Sequence, residues 1–244
     1  MSNALDQTRP ADGAKWAFNA DVTRVFDNML RRSIPDYETM RKLVFSLGSR
    51  FVQPNTDVVD LGSSRGDALA PFIEAFGAGN RYVGLDESEP MLTACRDRFR
   101  AWVDNGLLDV RQHDLRGGLP PLFPSLILAV LTLQFTPIEC RQRIVADAYR
   151  ILRPGGVMII VEKVLGGDNE CNQVLVSEYH HLKYRNGYSA DEIDAKRRSL
   201  QGVLVPLTAE GNEQMLRAEG FRVQRFWQAL NFAGWLAVKP KAGA

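Results

Sequence analysis

Apolar side chains recur every three or four residues in two segments near the start of the chain, which predicts two amphipathic helices. The segments span residues 20–32 and 37–50, and Pro35 separates them because a proline interrupts helical hydrogen bonding. Residues 1–14 show no such period and contain glycine and proline, so we expect a flexible tail. The remainder, residues 15–244, is predicted to form a single domain that begins with these helices.

Beyond residue 56, short apolar runs alternate with segments of helical period. This alternation predicts parallel strands joined by right-handed crossovers. In chain order, the predicted strands are residues 56–60, 81–86, 108–112, 125–131 and 157–161, and the predicted helices between them are residues 67–76, 89–103 and 137–152.

The pattern changes after the fifth predicted strand. Residues from about 168 to 205 are polar, with a helical period and no strand pattern, so we expect a helical insertion. A helix at residues 209–219 is followed by apolar runs at 221–227 and 232–238, which are close enough to pair antiparallel. The predicted fold is therefore α/β. It has a mostly parallel seven-stranded sheet with an antiparallel C-terminal hairpin, N-terminal helices and a helical insertion after strand 5.

A glycine-bounded turn follows the first predicted strand. Asp60 ends the strand, and Gly62 and Gly66 enclose Ser63 and Ser64 before a helical pattern begins. Glycine lets a backbone approach a ligand closely, and a helix start offers free N–H groups to a polar or negative ligand group. The spacing lacks the middle glycine of the dinucleotide-binding pattern, and a purely structural turn is the alternative interpretation.

The second predicted strand also ends in a carboxylate, Asp86. At this position of a βαβ unit, an acidic side chain accepts hydrogen bonds from the hydroxyl groups of a ribose. Two carboxylate-tipped strands in series favour an adenosyl ligand, although each aspartate could instead cap its strand. Five parallel strands and a closing hairpin are the outline of the class I S-adenosylmethionine (SAM) methyltransferase fold, so SAM is the predicted cofactor.

Composition narrows the function classes. The 244 residues carry a formal net charge of +1, which gives no bulk electrostatic case for a nucleic-acid or membrane partner. No apolar run reaches the roughly 18 residues needed to span a bilayer, so we expect a cytoplasmic enzyme. The three cysteines lack C-x-x-C spacing, and the adjacent His180 and His181 would point about 100° apart on a helix, so no metal site is predicted.

Short motifs extend over about residues 16–240, namely 16–18 (WAF), 25–29 (VFDNM), 32–37 (RSIPDY), 50–54 (RFVQP), 60–62 (DLG), 132–135 (TLQF), 162–163 (EK), 180–181 (HH), 185–189 (RNGYS) and 196–197 (KR). Together they resemble those of the carboxy-S-adenosyl-L-methionine (carboxy-SAM) synthases. These enzymes make a carboxylated sulfonium from SAM and prephenate, and a partner enzyme uses it to modify the wobble uridine of tRNA. The resemblance implies the same activity in a homodimer that binds SAM, carboxy-SAM or S-adenosylhomocysteine and does not itself contact nucleic acid.

The resemblance also implies roles for individual residues. Tyr37 would contact the methionine end of the cofactor and Arg197 would hold the extra carboxylate, so these two residues are the catalytic candidates. A guanidinium is a planar, always charged donor that fits a carboxylate. Asp86 and Glu87 would contact the ribose and the adenine side of the cofactor, and Asp114 and Leu115 would flank the adenine. All residues expected to bind the cofactor are Tyr37, Asp60, Gly62, Ser63, Ser64, Gly66, Asp86, Glu87, Asp114, Leu115, Val130 and Arg197.

Three positions depart from the family pattern. Val130 stands where the family has an asparagine, so a side-chain amide contact to the cofactor is missing. Arg65 replaces an apolar residue of the glycine loop, and Arg198 replaces a serine. Two alternatives stay open: a conventional SAM-dependent methyltransferase of a small molecule or nucleic acid, and a SAM-binding protein without turnover.

Overall fold

Within residues 14–241 and Gly243, which the computed structural model describes, eight strands form one mixed sheet preceded by two helices. The predicted tail lies outside these residues except for its last position. The helices are α1 (Ala20–Ser33), α2 (Tyr37–Gly48), α3 (Ala70–Phe76), α4 (Glu89–Arg98), α5 (Arg100–Asp104), α6 (Ile138–Ile151), α7 (Asn169–Arg185), α8 (Ala190–Leu200) and α9 (Ala209–Ala218). The strands are β1 (Asp57–Leu61), β2 (Arg81–Asp86), β3 (Leu108–Gln112), β4 (Pro124–Val130), β5 (Val157–Leu165), β6 (Leu207–Thr208), β7 (Arg222–Ala229) and β8 (Phe232–Val238).

The strand order is β3-β2-β1-β4-β5-β8-β7, and the short β6 pairs with the end of β5. Strands β1 to β5 are parallel, whereas β8 runs antiparallel to both β5 and β7. The predicted α/β fold class and its closing hairpin are confirmed. The sequence pattern missed only β6, because a strand of two residues is too short to show a period.

Alternate side chains of the strands enter two hydrophobic cores, one on each face of the sheet. Val59 and Leu61 pack in the core that also contains Leu216 of α9. Val58, which directly precedes Val59 in β1, packs on the opposite face with Phe72 of α3. Helices therefore cover both faces, as expected for strands that are apolar at nearly every position.

Two of the predicted helices differ from the structure by more than two residues or in their number. The first crossover helix begins at Ala70 rather than residue 67, because residues 62–69 form turns with three positive φ angles. The predicted helix 89–103 is two helices, since Phe99 leaves helical geometry with φ −110° and ψ 27°.

Helices α1, α7 and α8 lie over the carboxyl ends of β1 and β4. Arg32 Nε donates to the Asn186 carbonyl at 2.7 Å, and Asn186 Nδ2 donates to the Arg32 carbonyl at 3.0 Å. The Trp16 N–H donates to the Ser199 carbonyl at 3.0 Å, which ties the N-terminal segment to α8. No helix of the described residues is long and apolar enough to cross a membrane.

Candidate active site

A cavity of about 800 Å³ opens where the strand order changes direction, between the carboxyl ends of β1 and β4. Open α/β sheets bind their ligands at this position. A second cavity of about 300 Å³ adjoins it. Both cavities are lined by Phe18, Gly62, Ser64, Leu131 and Phe135. The two spaces can therefore accommodate one extended ligand that crosses this junction.

The glycine loop approaches the neighbouring strands closely. Gly62 has φ +71°, and a Cβ added there would lie 2.5 Å from Thr132 Oγ1, so this position requires glycine. The N–H groups of Gly62 and Ser63 donate to the Leu85 carbonyl at 2.7 and 3.0 Å. The loop therefore uses these two N–H groups to bind the end of β2.

Gly66 was expected at the cofactor site but lines neither cavity. Its φ is +75°, and an added Cβ would lie 2.8 Å from the Phe99 ring and 2.9 Å from Cys95 Sγ. The packing of the loop against α4 is therefore sufficient to require glycine at this position.

Asp60 supplies a buried carboxyl group to the larger cavity. The residue is 2% exposed, and Oδ1 has no hydrogen-bond partner among the described residues. Burial raises the pKa of Asp60 to about 8, an effect opposed by the nearby Arg41. A buried polar atom without a partner costs free energy, so a cationic or N–H ligand group at this position would be favourable.

Asp86 lines the smaller cavity and is held rigidly. Its Oδ2 accepts the Ser64 N–H at 2.8 Å, and its Oδ1 accepts the Ser88 N–H at 2.8 Å. Burial raises the pKa of Asp86, and these backbone donors oppose the shift. The carboxylate retains free lone pairs, because each oxygen can accept more than one hydrogen bond.

Glu87, Asp114 and Leu115 surround the rest of the smaller cavity. Asp114 accepts the Arg116 N–H at 2.8 Å and Arg116 Nε at 2.9 Å, and this pairing lowers the pKa of Asp114. Arg116 also approaches Glu87 at 3.3 Å. Leu115 is 8% exposed and provides an apolar wall, so this cavity combines a flat apolar surface with polar edges.

Tyr37 and Val130 line the larger cavity. Tyr37 is the first residue of α2 and follows Asp36, which has a left-handed backbone conformation with φ 50°. Burial raises the pKa of Tyr37, so the phenol stays protonated at neutral pH. Val130 ends β4 beside Val161 and offers the cavity only an apolar surface.

Arg197 also lines the larger cavity, although its side chain is 57% exposed. Its Nη2 and Nε donate to Asp194 Oδ1 at 2.7 and 3.0 Å, and Arg198 pairs with Asp194 Oδ2 at 2.9 Å. A ligand carboxylate would therefore share Arg197 with Asp194.

The structure adds three lysines that sequence reasoning did not assign to the site: Lys163, Lys183 and Lys196. We call them the lysine cluster. Burial lowers the pKa of Lys163 to about 8 and that of Lys183 to about 7, and it lowers the pKa of Lys196 well below its ordinary value. The sequence signal for Lys163 is the charged pair Glu162 and Lys163 directly after an apolar run. Lys183 follows Tyr179 by one helical turn and shares its buried face.

Glu162 fixes the loop after β4. It is 2% exposed and accepts the N–H groups of Thr132, Leu133 and Gln134 at 3.2, 2.8 and 2.8 Å. Burial raises the pKa of Glu162 to about 7, against the effect of these donors. The Gln134 side chain in turn accepts the Lys163 N–H at 2.7 Å, so β5 positions both the loop and one lysine.

The two adjacent histidines occupy different environments. His180 lines the larger cavity and its pKa is lowered by burial and by nearby lysines, whereas His181 is exposed beside Glu178. Within residues 14–241 and Gly243, no group of three or more His, Cys, Asp or Glu residues is arranged to hold a metal ion.

Comparisons with known proteins agree with this geometry. The sequence profile of a methyltransferase domain matches residues 59–158. A solved O-methyltransferase family protein from Burkholderia thailandensis superimposes with a TM-score of 0.68 and 16% identity, covering 99% of this chain and 67% of that one. Human N-acetylserotonin methyltransferase, solved in complex with SAM, gives a TM-score of 0.60 and 15% identity, covering 91% and 56%. At these identities the likeness establishes the fold.

Sequence similarity is more specific. The carboxy-SAM synthase of Methylococcus capsulatus is 36% identical over 226 residues, which cover 92% of this chain and 93% of that protein. The protein is a SAM-dependent transferase, and its cofactor is SAM. The chain belongs to the carboxy-S-adenosyl-L-methionine synthase family.

Proposed function

We propose that this protein makes carboxy-SAM from SAM, with prephenate as the second substrate. The observation that supports the proposal is the charge distribution of the larger cavity. Asp60 lies at the end nearest β1, and the lysine cluster with Arg197 lies at the end formed by β5, α7 and α8. A cavity with one acidic and one basic end fits a cationic cofactor beside a dicarboxylate.

The roles of the chain's residues follow from their positions. When bound, the cofactor supplies a sulfonium methyl group that is already activated. Tyr37 and Asp60 would hold its methionine end, while Asp86, with Glu87, Asp114 and Leu115, would hold the adenosine. Arg197 would hold the new carboxylate through a charge-assisted hydrogen bond. The apolar walls, including Val130, would exclude water while the two substrates are aligned.

Mass spectrometry of reaction mixtures tests the proposal. Wild-type protein incubated with SAM and prephenate is expected to yield a nucleoside about 44 mass units heavier than SAM. The Arg197→Met variant should still bind SAM but lose most of this product. Labelled methyl transfer to an acceptor, without the heavier nucleoside, would instead favour a conventional methyltransferase, and SAM binding without any product would favour a non-catalytic role.

We also propose that the protein is a cytoplasmic homodimer whose product serves tRNA modification. Exposed apolar side chains on and beside α7 support a second copy at this face, namely Leu165, Val174 and Tyr184. Light scattering in solution should give twice the chain mass of 27.3 kDa. A monomer with unchanged activity would contradict the homodimer.

A further inference from the structure

The lysine cluster brings amines from three separate elements to one cavity. Lys163 on β5 and Lys183 on α7 lie on the same aromatic ring, with Nζ atoms 4.6 and 4.7 Å from the centre of Tyr179. Lys196 on α8 places its Nζ 4.1 Å from the centre of the Trp16 ring. Aromatic rings stabilise a cation only weakly compared with a carboxylate. The amines are thus clustered without an anion to balance them.

The side chains around the cluster do not supply that anion. Within the described residues none of the three lysines forms an ion pair, and no acidic group raises their pKa. On α7, Tyr179 and His180 line the same space, and burial raises the pKa of Tyr179, so both are neutral or cationic. The centre of the Tyr188 ring lies 5.9 Å from Lys183 Nζ, and this neighbour is also not an anion.

On α8, the charged neighbours of the cluster are Arg197 and its partner Asp194. Asp194 is already bound to Arg197 and Arg198, so it cannot neutralise the lysines.

The opposite wall carries the acidic groups. Asp60 and Asp67 are the acidic residues of this wall, and Tyr37 and the basic Arg41 lie beside them. Asp67 Oδ1 pairs with Arg98, and Arg41 donates to the Asp67 carbonyl. Burial raises the pKa of Asp60 to about 8 and lowers that of Lys183 to about 7, so burial favours the neutral form of one group on each wall. A ligand of opposite charge would reverse this preference on each wall.

We infer that Lys163, Lys183 and Lys196 bind the second substrate as a small dianion, and that its binding is coupled to proton uptake by these amines. The inference rests on the proposed function, because it assigns that substrate to the basic end of the same cavity. Three rotatable ammonium groups suit two carboxylates at different positions, whereas the planar Arg197 suits a single one. Neutral amines avoid the cost of desolvating positive charges at this end of the cavity, and the dianion supplies the negative charge that the lysines lack.

Calorimetry on the wild-type protein tests the proton uptake. Prephenate is titrated into protein saturated with S-adenosylhomocysteine, which lacks the methyl group and so prevents turnover. The titration is repeated at about pH 8 in HEPES and in Tris, whose heats of ionisation differ. We expect an uptake on the order of one proton per dianion bound. Equal binding heats in the two buffers would overturn the coupling.

Single variants test the assignment of the lysines. Lys163→Met, Lys183→Met and Lys196→Met are each expected to raise the Kd of prephenate about tenfold, the loss expected for one charge-assisted hydrogen bond. Lys42→Met is the matched control, since Lys42 is an exposed lysine of α2 that does not line the cavity. A Kd within twofold of wild type in all three cluster variants would overturn the assignment.

The same samples separate this inference from the proposed function. Proton uptake on prephenate binding, without any carboxylated nucleoside from SAM, would support the anion site and overturn the proposed reaction. Carboxylated product with an unchanged KM for prephenate in the three methionine variants would support the reaction and overturn the lysine assignment. If a variant failed to fold, the comparison of two buffers on wild-type protein would still decide the coupling.

Discussion

At the scale of single residues, Asp60 combines burial, charge and an unmatched hydrogen-bonding atom. It is 2% exposed, and its pKa is raised to about 8 because a charged carboxylate is poorly solvated there. Its position at the end of β1 follows from the sequence pattern. Its missing partner is visible only in the folded structure, because it depends on which groups surround Oδ1.

The Asp60→Asn variant is expected to bind SAM about tenfold more weakly, because an amide offers no anion to the cationic ligand. Wild-type affinity for SAM should rise between about pH 6 and pH 8, as a carboxyl group with a pKa of about 8 loses its proton, and the variant should lack that rise. Titration calorimetry at several pH values measures both effects. Asp104→Asn, at an exposed aspartate of α5, is the control and should bind SAM as the wild type does.

Both the positive φ angle and the close approach of Thr132 require glycine at position 62. Gly62→Ala is expected to lose about 1–3 kcal/mol of unfolding free energy, because an alanine at φ +71° is strained and its Cβ would meet Thr132. SAM binding should weaken as the loop moves. Thermal unfolding of Gly79→Ala provides the comparison, since nothing lies within 4 Å of a Cβ there. Equal melting temperatures for the two variants would contradict this account.

At the scale of elements, β5 positions a part of the site that lies outside the strand itself, namely the loop after β4. The strand carries Glu162, which binds three N–H groups of the loop after β4, and Lys163 of the lysine cluster. Residues 157–161 were predicted as the strand because they are uniformly apolar. The strand continues to Leu165 because its last residues pair with β6 and β8. The charged Glu162 and Lys163 belong to the strand because their backbone pairs with β8, which the sequence pattern does not show.

Replacing Glu162 by glutamine should destabilise the protein by about 1–3 kcal/mol, because one amide oxygen cannot satisfy three buried donors. The loop that carries Leu131 and Phe135 would shift, so SAM affinity should fall with the melting temperature. Glu170→Gln changes an exposed glutamate of α7 and is expected to leave both quantities unchanged. A stable Glu162→Gln variant with normal SAM affinity would show that the loop does not depend on this anchor.

At the scale of the whole molecule, the tertiary structure brings acidic and basic side chains from separate elements to the two ends of one cavity. Its acidic end comes from β1 and its basic end from β5, α7 and α8. The net charge of +1 gives no sign of this separation, since the 30 basic and 29 acidic residues of the chain nearly cancel in total. The local field of the cavity therefore differs from that of the molecule.

The pH dependence of stability should reveal this arrangement. The pKa of Lys183 is lowered to about 7 in the folded protein from an ordinary value of 10.5, so the unfolded chain binds the proton more tightly. The stability contribution of its neutral amine is therefore present above about pH 10.5 and is lost as the pH falls towards 7. Melting temperatures of wild type and Lys183→Met without ligand, measured between about pH 7 and pH 9.5, should differ most at the lower pH, with the variant more stable.

The sequence was sufficient for the fold because hydrophobic period, proline and glycine are local signals. Alternating runs predicted the parallel strands, and the two final runs predicted the hairpin. The structure places Tyr37, Asp86 and Arg197, which the family resemblance indicated, around the cavities, together with Asp60, which the pattern at the end of the first strand indicated. Their contact with a ligand stays a prediction. Gly66 lines neither cavity, and its role at the cofactor stays a prediction, because a glycine required for packing and one required for ligand approach look the same in sequence.

The sequence by itself determined the class of fold, the order of its elements and the family, because each of these is recognised from patterns among residues that are close together in the chain. Only the tertiary structure decided that Lys163, Lys183 and Lys196 share one cavity. They lie on three elements up to 33 residues apart, and their charge state depends on burial by groups from the whole fold. The physical reason is that solvation and electrostatic interaction depend on distance in space and not along the chain.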